Sequence, residues 1–235
     1  MEKVDCSYIS RNAEKIRERI DAAARAAGRY PSEITLLAAI KYATADEIKY
    51  LQTVEGIDAF GENRVQQLLE HYGDIESSGK ELHFIGTLQT NKVKYIVDKV
   101  DMIHSLDSEK LAAEIDKQCK KIGKVMNVLC EINCGREEMK SGLMPEDVEE
   151  FCLGLEKYSN IKLCGFMTMA PKCEKKDEYI KYFSETAQLV LDIWHKKLDN
   201  IYKPVLSMGM SDSFEAAIAA GSTVVRVGRG LFVKD

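Results

Sequence analysis

Three groups of residues could do chemistry together. The first is Lys41, which ends the apolar run Ile-Thr-Leu-Leu-Ala-Ala-Ile at residues 34–40. A lysine partly desolvated at a strand end can attack a carbonyl as a free amine. The second is the turn after residues 205–208, where Ser207, Gly209, Ser211 and Asp212 precede an apolar helical stretch. The third is Arg226-Val227-Gly228-Arg229, after the apolar run at 223–227. Glycine-bearing turns that lead from a strand into a helix leave N–H groups to receive an anion. An amine beside an anion seat is what a cofactor with an aldehyde and a phosphate requires. Each group also has a plain reading: a solvated strand end, a capped helix between two strands, a glycine turn.

The elements that must bring these groups together alternate along the chain. An amphipathic opening helix is marked by Ile9, Ala13, Ile16, Ile20, Ala24 and Ala27 and stopped by Gly28 and Pro31. Strands follow at 34–40, 57–61, 82–86, 102–105, 125–133, 161–167, 205–208 and 223–227. Helices are expected at 44–53, 63–72, 92–99, 108–122, from Pro145 to 157, at 176–198 and at 213–220. Thr44 with Glu47, and Asp212 with Glu215, have the spacing of a capping box. Strands without polar alternation are buried on both faces, as in a parallel sheet. Eight such strands with helices between them predict an α/β fold, one (β/α)₈ TIM barrel over 1–235 with an extra N-terminal helix within 1–30 packed on it. An open doubly wound sheet ranks second, since no GxGxxG or GxxxxGK[ST] stands after a strand.

Closing the barrel gathers the residues that follow each strand on one rim: Lys41, Asn63, Gly86 with Thr87, His104 with Ser105, Asn133, Thr168, Ser207 with Ser211, and Arg226 with Gly228. Strand eight then lies beside strand one, so Arg226 and Lys41 come close. His83 reads as a buried, hydrogen-bonded core histidine, and Asn63 either caps the next helix or faces the rim.

Composition narrows the rest. The chain has 235 residues, 30% charged, with a net charge of −5. That balance argues against a general nucleic-acid binder. Seven cysteines are scattered, and Cys130 and Cys134 find no partners at zinc spacing. They read as reduced thiols of a cytoplasmic protein. No run approaches the roughly 20 apolar residues of a membrane span.

The stretches LLAAIKYAT, FGENRVQQL, LHFIGTLQTNKVK, GREEMKSGL, GFMTMAP and LSMGMSDSFEAAIAAGSTVVRVG run through nearly the whole chain in order. In them the chain resembles the pyridoxal phosphate homeostasis proteins. The resemblance implies a fold-type III barrel like the N-terminal domain of alanine racemase. It implies pyridoxal 5′-phosphate as cofactor, held as a Schiff base on Lys41. It places the phosphate around Ser211 and the backbone of Gly228 and Arg229, and Arg226 facing the pyridine nitrogen; Ser207 is counted among the cofactor-binding residues, and Asn63, in its functional reading, approaches the cofactor ring. Thr87 stands where the family often has histidine, Arg229 where a small hydroxyl residue is common, and Phe232-Val233 where the family closes on Phe-Gly. The implied role is a monomeric carrier that keeps pyridoxal phosphate and amino-acid pools balanced, with apo enzymes as recipients and little or no turnover. The alternatives are an amino-acid racemase, which would call on a second domain, and a barrel aldolase using Lys41 with Glu62 or His104.

Overall fold

The structure, a computed structural model, describes residues 5–196 and 203–234. Eight parallel strands close into a barrel in chain order: β1 (Thr35–Ala39), β2 (Ala59–Glu62), β3 (Glu81–Phe84), β4 (Met102–Leu106), β5 (Met126–Ile132), β6 (Ile161–Thr168), β7 (Val205–Ser207) and β8 (Val224–Val227). β8 pairs with β1, with Thr35 opposite Val224 and Ala38 opposite Val227. The helices α1 (Ser7–Ala26), α2 (Ala45–Leu51), α3 (Val65–Glu76), α4 (Glu109–Ile122), α5 (Val148–Gly154), α6 (Lys176–Lys196), α7 (Phe214–Ala219) and α8 (Arg229–Phe232) cover the outside.

The lack of alternation in β1 has a simple cause. Leu36, Ala38 and Ile40 pack outward into the main core under the helices. Leu37 and Ala39 point inward and meet Ala59, Ile85 and Val224 inside the barrel. Strand geometry sends successive side chains to opposite faces, so both faces must be apolar. Along α1, Ile9, Ala13, Ile16, Ile20 and Ala24 form the buried stripe.

Several elements differ from expectation. Residues 92–99 form no α-helix. A 3₁₀ segment, Thr90–Tyr95, replaces it and buries Val93, while Ile96, Val97 and Val100 are buried in the stretch that follows. A 3₁₀ helix rises about 2.0 Å per residue against 1.5 Å for an α-helix, so the short link from β3 to β4 spans further. The helix expected from Pro145 to 157 divides into a 3₁₀ turn Pro145–Asp147, α5, and a second turn Leu155–Lys157. Of the helix expected at 176–198, residues 197 and 198 lie outside the described residues.

The barrel interior is not wholly apolar. His83, His104, Glu131, Ser207 and Arg226 are all buried there, where Val, Ile and Leu usually fill the layers.

Candidate functional site

Inward parity continues from Leu37 and Ala39 to Lys41, which follows β1 at the barrel mouth. Gln67 on α3 donates through Nε2 to the Lys41 carbonyl at 3.0 Å and fixes the turn. Thr44 then caps α2, and the box closes both ways: Glu47 N donates to Thr44 Oγ1, and Thr44 N to Glu47 Oε2 at 2.8 Å. Lys41 Nζ lies 5.0 Å from the ring centroid of Tyr42 and makes no hydrogen bond or ion pair among the described residues. Tyr42 itself is 71% exposed.

Lys41 opens onto a cavity of about 320 Å³ lined by Lys41, Tyr42, Asn63, Arg64, Gly86 and Thr87. Asn63 does not cap α3. Arg64 is the N-cap residue, without a side-chain bond, and Glu62 Oε1 accepts from the N–H groups of Asn63 (2.6 Å) and Arg64 (3.2 Å). That leaves the Asn63 side chain at the rim, with a buried Oδ1 that has no partner. Gly86 is glycine for a local reason: a Cβ there would stand 2.1 Å from the Asn63 carbonyl oxygen.

The turns after β7 and β8 meet on the other side of Lys41. Gly230 N donates to Ser211 Oγ at 3.4 Å. Gly228 passes so near β1 that a Cβ would lie 3.2 Å from the Ala39 carbonyl oxygen. The Asp212–Glu215 capping box does not form. Asp212 accepts from Arg229 Nη2 (2.8 Å) and Glu215 from Arg19 Nε (2.9 Å). Ser213, not Ser211 or Asp212, is the N-cap of α7, and its Oγ accepts from Met210 N at 3.2 Å. The Arg229 side chain is therefore engaged at the surface with Asp212.

Arg226 lies beneath the mouth, 4% exposed. Its Nη1 donates to Ser207 O (2.7 Å) and Ser207 Oγ (2.6 Å), and its Nη2 to Thr168 O (3.0 Å). Nε makes no hydrogen bond among the described residues. Burial pushes the guanidinium down to about 10, and the nearby Glu131 carboxylate opposes that shift. Arg226 thus keeps its charge at neutral pH. Ser207 is fully enclosed, so its hydroxyl sits below the mouth and serves Arg226.

Below Ser207 the polar contacts continue. Ser207 Oγ is 3.1 Å from His104 Nδ1, His104 Nε2 is 2.9 Å from His83 Nδ1, and His83 Nε2 is 2.9 Å from Glu81 Oε2. Burial, reinforced by the Arg226 charge, holds His104 well below the usual histidine range, so it is neutral. His83 is the buried, bonded core histidine expected.

Glu131 is the site residue that the sequence reading passed over. It is 3% exposed, accepts from Ser141 Oγ at 3.0 Å, and is raised above the usual carboxylate range by burial. Its signal was parity: in MNVLCEI, Glu131 shares a face with Leu129 and Asn127.

The residues present fit pyridoxal phosphate. They offer an uncommitted amine for an aldehyde, an unpartnered buried amide oxygen beside it, and a side-chain-free backbone turn at Gly228. Beneath them a cationic donor, Arg226, keeps N–H groups on Nε and Nη2 that none of its three hydrogen bonds uses. Among the described residues no His, Cys, Asp and Glu cluster could hold a metal ion. No described helix is long and apolar enough to cross a membrane.

Comparison with known proteins gives the family and agrees with the barrel fold. Residues 4–234 match the family model of the alanine racemase N-terminal domain. The chain is 40% identical over 227 residues to the pyridoxal phosphate homeostasis protein of Aquifex aeolicus, covering 97% of this chain and 96% of the relative. It is 36% identical over 232 residues to the Escherichia coli K12 protein of the same name, covering 95% of each. Among solved structures, PipY of Synechococcus elongatus with pyridoxal phosphate bound superposes with a TM-score of 0.79 at 28% identity, over 93% of this chain and 100% of that one. The alanine racemase of Clostridium difficile superposes at 0.70 with 18% identity, and 57% of it is covered against 95% of this chain. That likeness is one of fold.

Proposed function

The chain belongs to the pyridoxal phosphate homeostasis family, and we propose that it holds its cofactor covalently on Lys41 as a carrier with little or no turnover. Its cofactor is pyridoxal 5′-phosphate and its role lies in pyridoxal phosphate homeostasis. When bound, the cofactor supplies an aldehyde that condenses with a primary amine and a ring that withdraws electrons. The observation that carries the assignment is the Lys41 amine, unpaired at the barrel mouth and two residues beyond Ala39, against which the Gly228 turn packs.

Each of the other residues then has a task. Ser211 Oγ and the N–H groups of Gly228 and Arg229 hold the phosphate. Asn63, whose Oδ1 is buried without a partner, would contact the cofactor ring. Arg226 would offer an unused N–H to the ring nitrogen when the cofactor is bound. It donates a hydrogen bond without surrendering its proton, because an arginine is not a usable acid at neutral pH. A ring nitrogen left unprotonated is a poor sink for carbanion electrons, which favours storage over racemisation. Ser207 acts through Arg226. The open rim leaves the cofactor within reach of apo enzymes, and the protein works as a monomer.

The test is direct. Protein incubated with pyridoxal phosphate should gain a visible absorption band, and borohydride should fix the cofactor on the Lys41 peptide. A Lys41→Ala variant that keeps the same reducible band would overturn the anchor. Pyridoxal without its phosphate should bind orders of magnitude more weakly, since each charge-assisted hydrogen bond contributes about 1.5–3 kcal/mol. Exchange of the α-proton of L-alanine in deuterated water at an enzyme-like 1–10³ per second or so would instead support the racemase.

A further inference from the structure

Glu81 begins β3 at the end of the barrel opposite the cofactor mouth. It lines a cleft of about 290 Å³ together with Lys80, Asp98, Lys99, Asp101 and Lys124. From there a file of inward side chains runs up the barrel through His83, His104 and Ser207 to Arg226, with contacts of 2.9, 2.9, 3.1 and 2.6 Å.

The two ends of this file dictate its direction. A guanidinium only donates, and a carboxylate only accepts. Ser207 Oγ therefore accepts from Arg226. At the other end His83 Nε2 must carry a proton to give Glu81. A neutral imidazole has one N–H and one lone pair. So His83 Nδ1 accepts, His104 Nε2 donates to it, and His104 Nδ1 accepts from the Ser207 hydroxyl. All four hydrogen bonds then point from Arg226 toward Glu81.

We propose that Glu81 is a positioning residue for Arg226, acting through the barrel interior by fixing the tautomers of His83 and His104. With the carboxylate in place, the Ser207 proton is committed to His104, and the Ser207 lone pairs are left for Nη1. Without it, His83 and His104 can reverse together. His104 Nδ1–H would then donate to Ser207, and the Ser207 proton would have to turn toward another acceptor. Arg226 would share its anchor with a second donor. Glu81 suits this part because it is two-thirds exposed while its partner ring is buried, so substitution there disturbs little packing. His83 in turn holds the Glu81 carboxyl below its usual range, and burial opposes this.

The link to the cofactor rests on the reading of Arg226 given above, but the tautomer claim does not. Long-range ¹H–¹⁵N spectra of the cofactor-free protein at about pH 8, above the ordinary histidine value of about 6.5, report which ring nitrogen carries the proton. His83→Asn and His104→Asn variants assign the signals. Wild type should show both rings protonated at Nε2. Glu81→Ala should give mixed or reversed tautomers at both rings, and Glu81→Gln, whose amide oxygen still accepts, should restore them. Unchanged tautomers in Glu81→Ala would overturn the proposal, whatever the cofactor does. Pyridoxal phosphate affinity should fall about three- to tenfold in Glu81→Ala, the range of one net hydrogen bond, and recover in Glu81→Gln. Shifted tautomers with unchanged affinity would overturn the positioning role and leave the cofactor reading standing. A wild type that binds no pyridoxal phosphate but shows the fixed tautomers would overturn the cofactor reading, and with it Glu81's role toward the cofactor.

Discussion

Replacing Ser207 by alanine removes one oxygen and leaves almost the same shape, so it isolates the hydrogen bonds at the centre of the barrel. Two contacts disappear. One is the 2.6 Å bond from Arg226 Nη1, the other the 3.1 Å bond to His104 Nδ1. A hydrogen bond to a charged donor contributes about 1.5–3 kcal/mol net, and a buried polar atom left without a partner costs about 1–3 kcal/mol. His104 is fully enclosed, so no solvent replaces the lost partner. Arg226 keeps both carbonyl acceptors, Ser207 O and Thr168 O, and these limit the loss. The contributions share an atom and do not simply add. The expected destabilisation is about 2–4 kcal/mol. At about 2–4 °C per kcal/mol for a chain of this size, the melting temperature should fall by roughly 5–15 °C. Urea unfolding gives the free energy directly, from a lowered midpoint at unchanged slope. Pyridoxal phosphate affinity should fall by less than about tenfold, less than the worth of one charged hydrogen bond, because Arg226 stays in place. A loss of stability under about 1 kcal/mol at wild-type slope would refute the claim that Ser207 holds the buried guanidinium.

Gly86→Ala should abolish the Lys41 adduct or weaken cofactor binding more than about tenfold, with about 1–3 kcal/mol of destabilisation. Its Cβ would stand 2.1 Å from the Asn63 carbonyl oxygen, which is backbone and has nowhere to go. Burial raises the Glu62 carboxyl above its usual range despite the N–H groups of Asn63 and Arg64, so the folded chain holds that proton more tightly than the unfolded one. Its contribution to stability is then fullest below the unfolded value of about 4.3 and is lost as the pH rises through the higher folded value. Glu62→Gln should flatten that decline and gain relative to wild type at pH 8 over pH 4, read from urea midpoints at both. Thr44→Ala should lower stability by about 1 kcal/mol by opening the cap of α2; an unchanged midpoint would mean that Glu47 suffices alone.

The barrel was legible because its signals are local and repeated. The unbroken apolar run before Lys41 and the strand–helix alternation read directly as a parallel sheet closed on itself. The failures lie where tertiary contacts outvote local pattern. Asp212 and Glu215 have capping-box spacing, yet Arg229 and Arg19 claim them. Asn63 looked like a cap, yet Glu62 reaches the first N–H groups of that turn. Lys41, Asn63, Ser211, Arg226 and Gly228 were expected on one rim once the barrel was assumed, while Arg229 entered only through the family resemblance. Ser207 was grouped with them, but its depth could not be read from a strand of three residues. The file of polar side chains was invisible as a unit, since its members come from four strands and no sequence period links Glu81 to Arg226.

Closure of the barrel sets a timetable. The strand beside Lys41 that carries the Gly228 turn pairs Thr35 with Val224, a separation of 224 − 35, or 189 residues. At about 5–20 residues per second of synthesis, roughly 10–40 s separate the emergence of the lysine from that of its neighbour. Through that interval Lys41 is an ordinary amine on a growing chain, with no turn beside it to receive a phosphate. On the reading proposed above, the amine and the turn that would receive the phosphate come together only in a late step, when the two ends of the sheet meet.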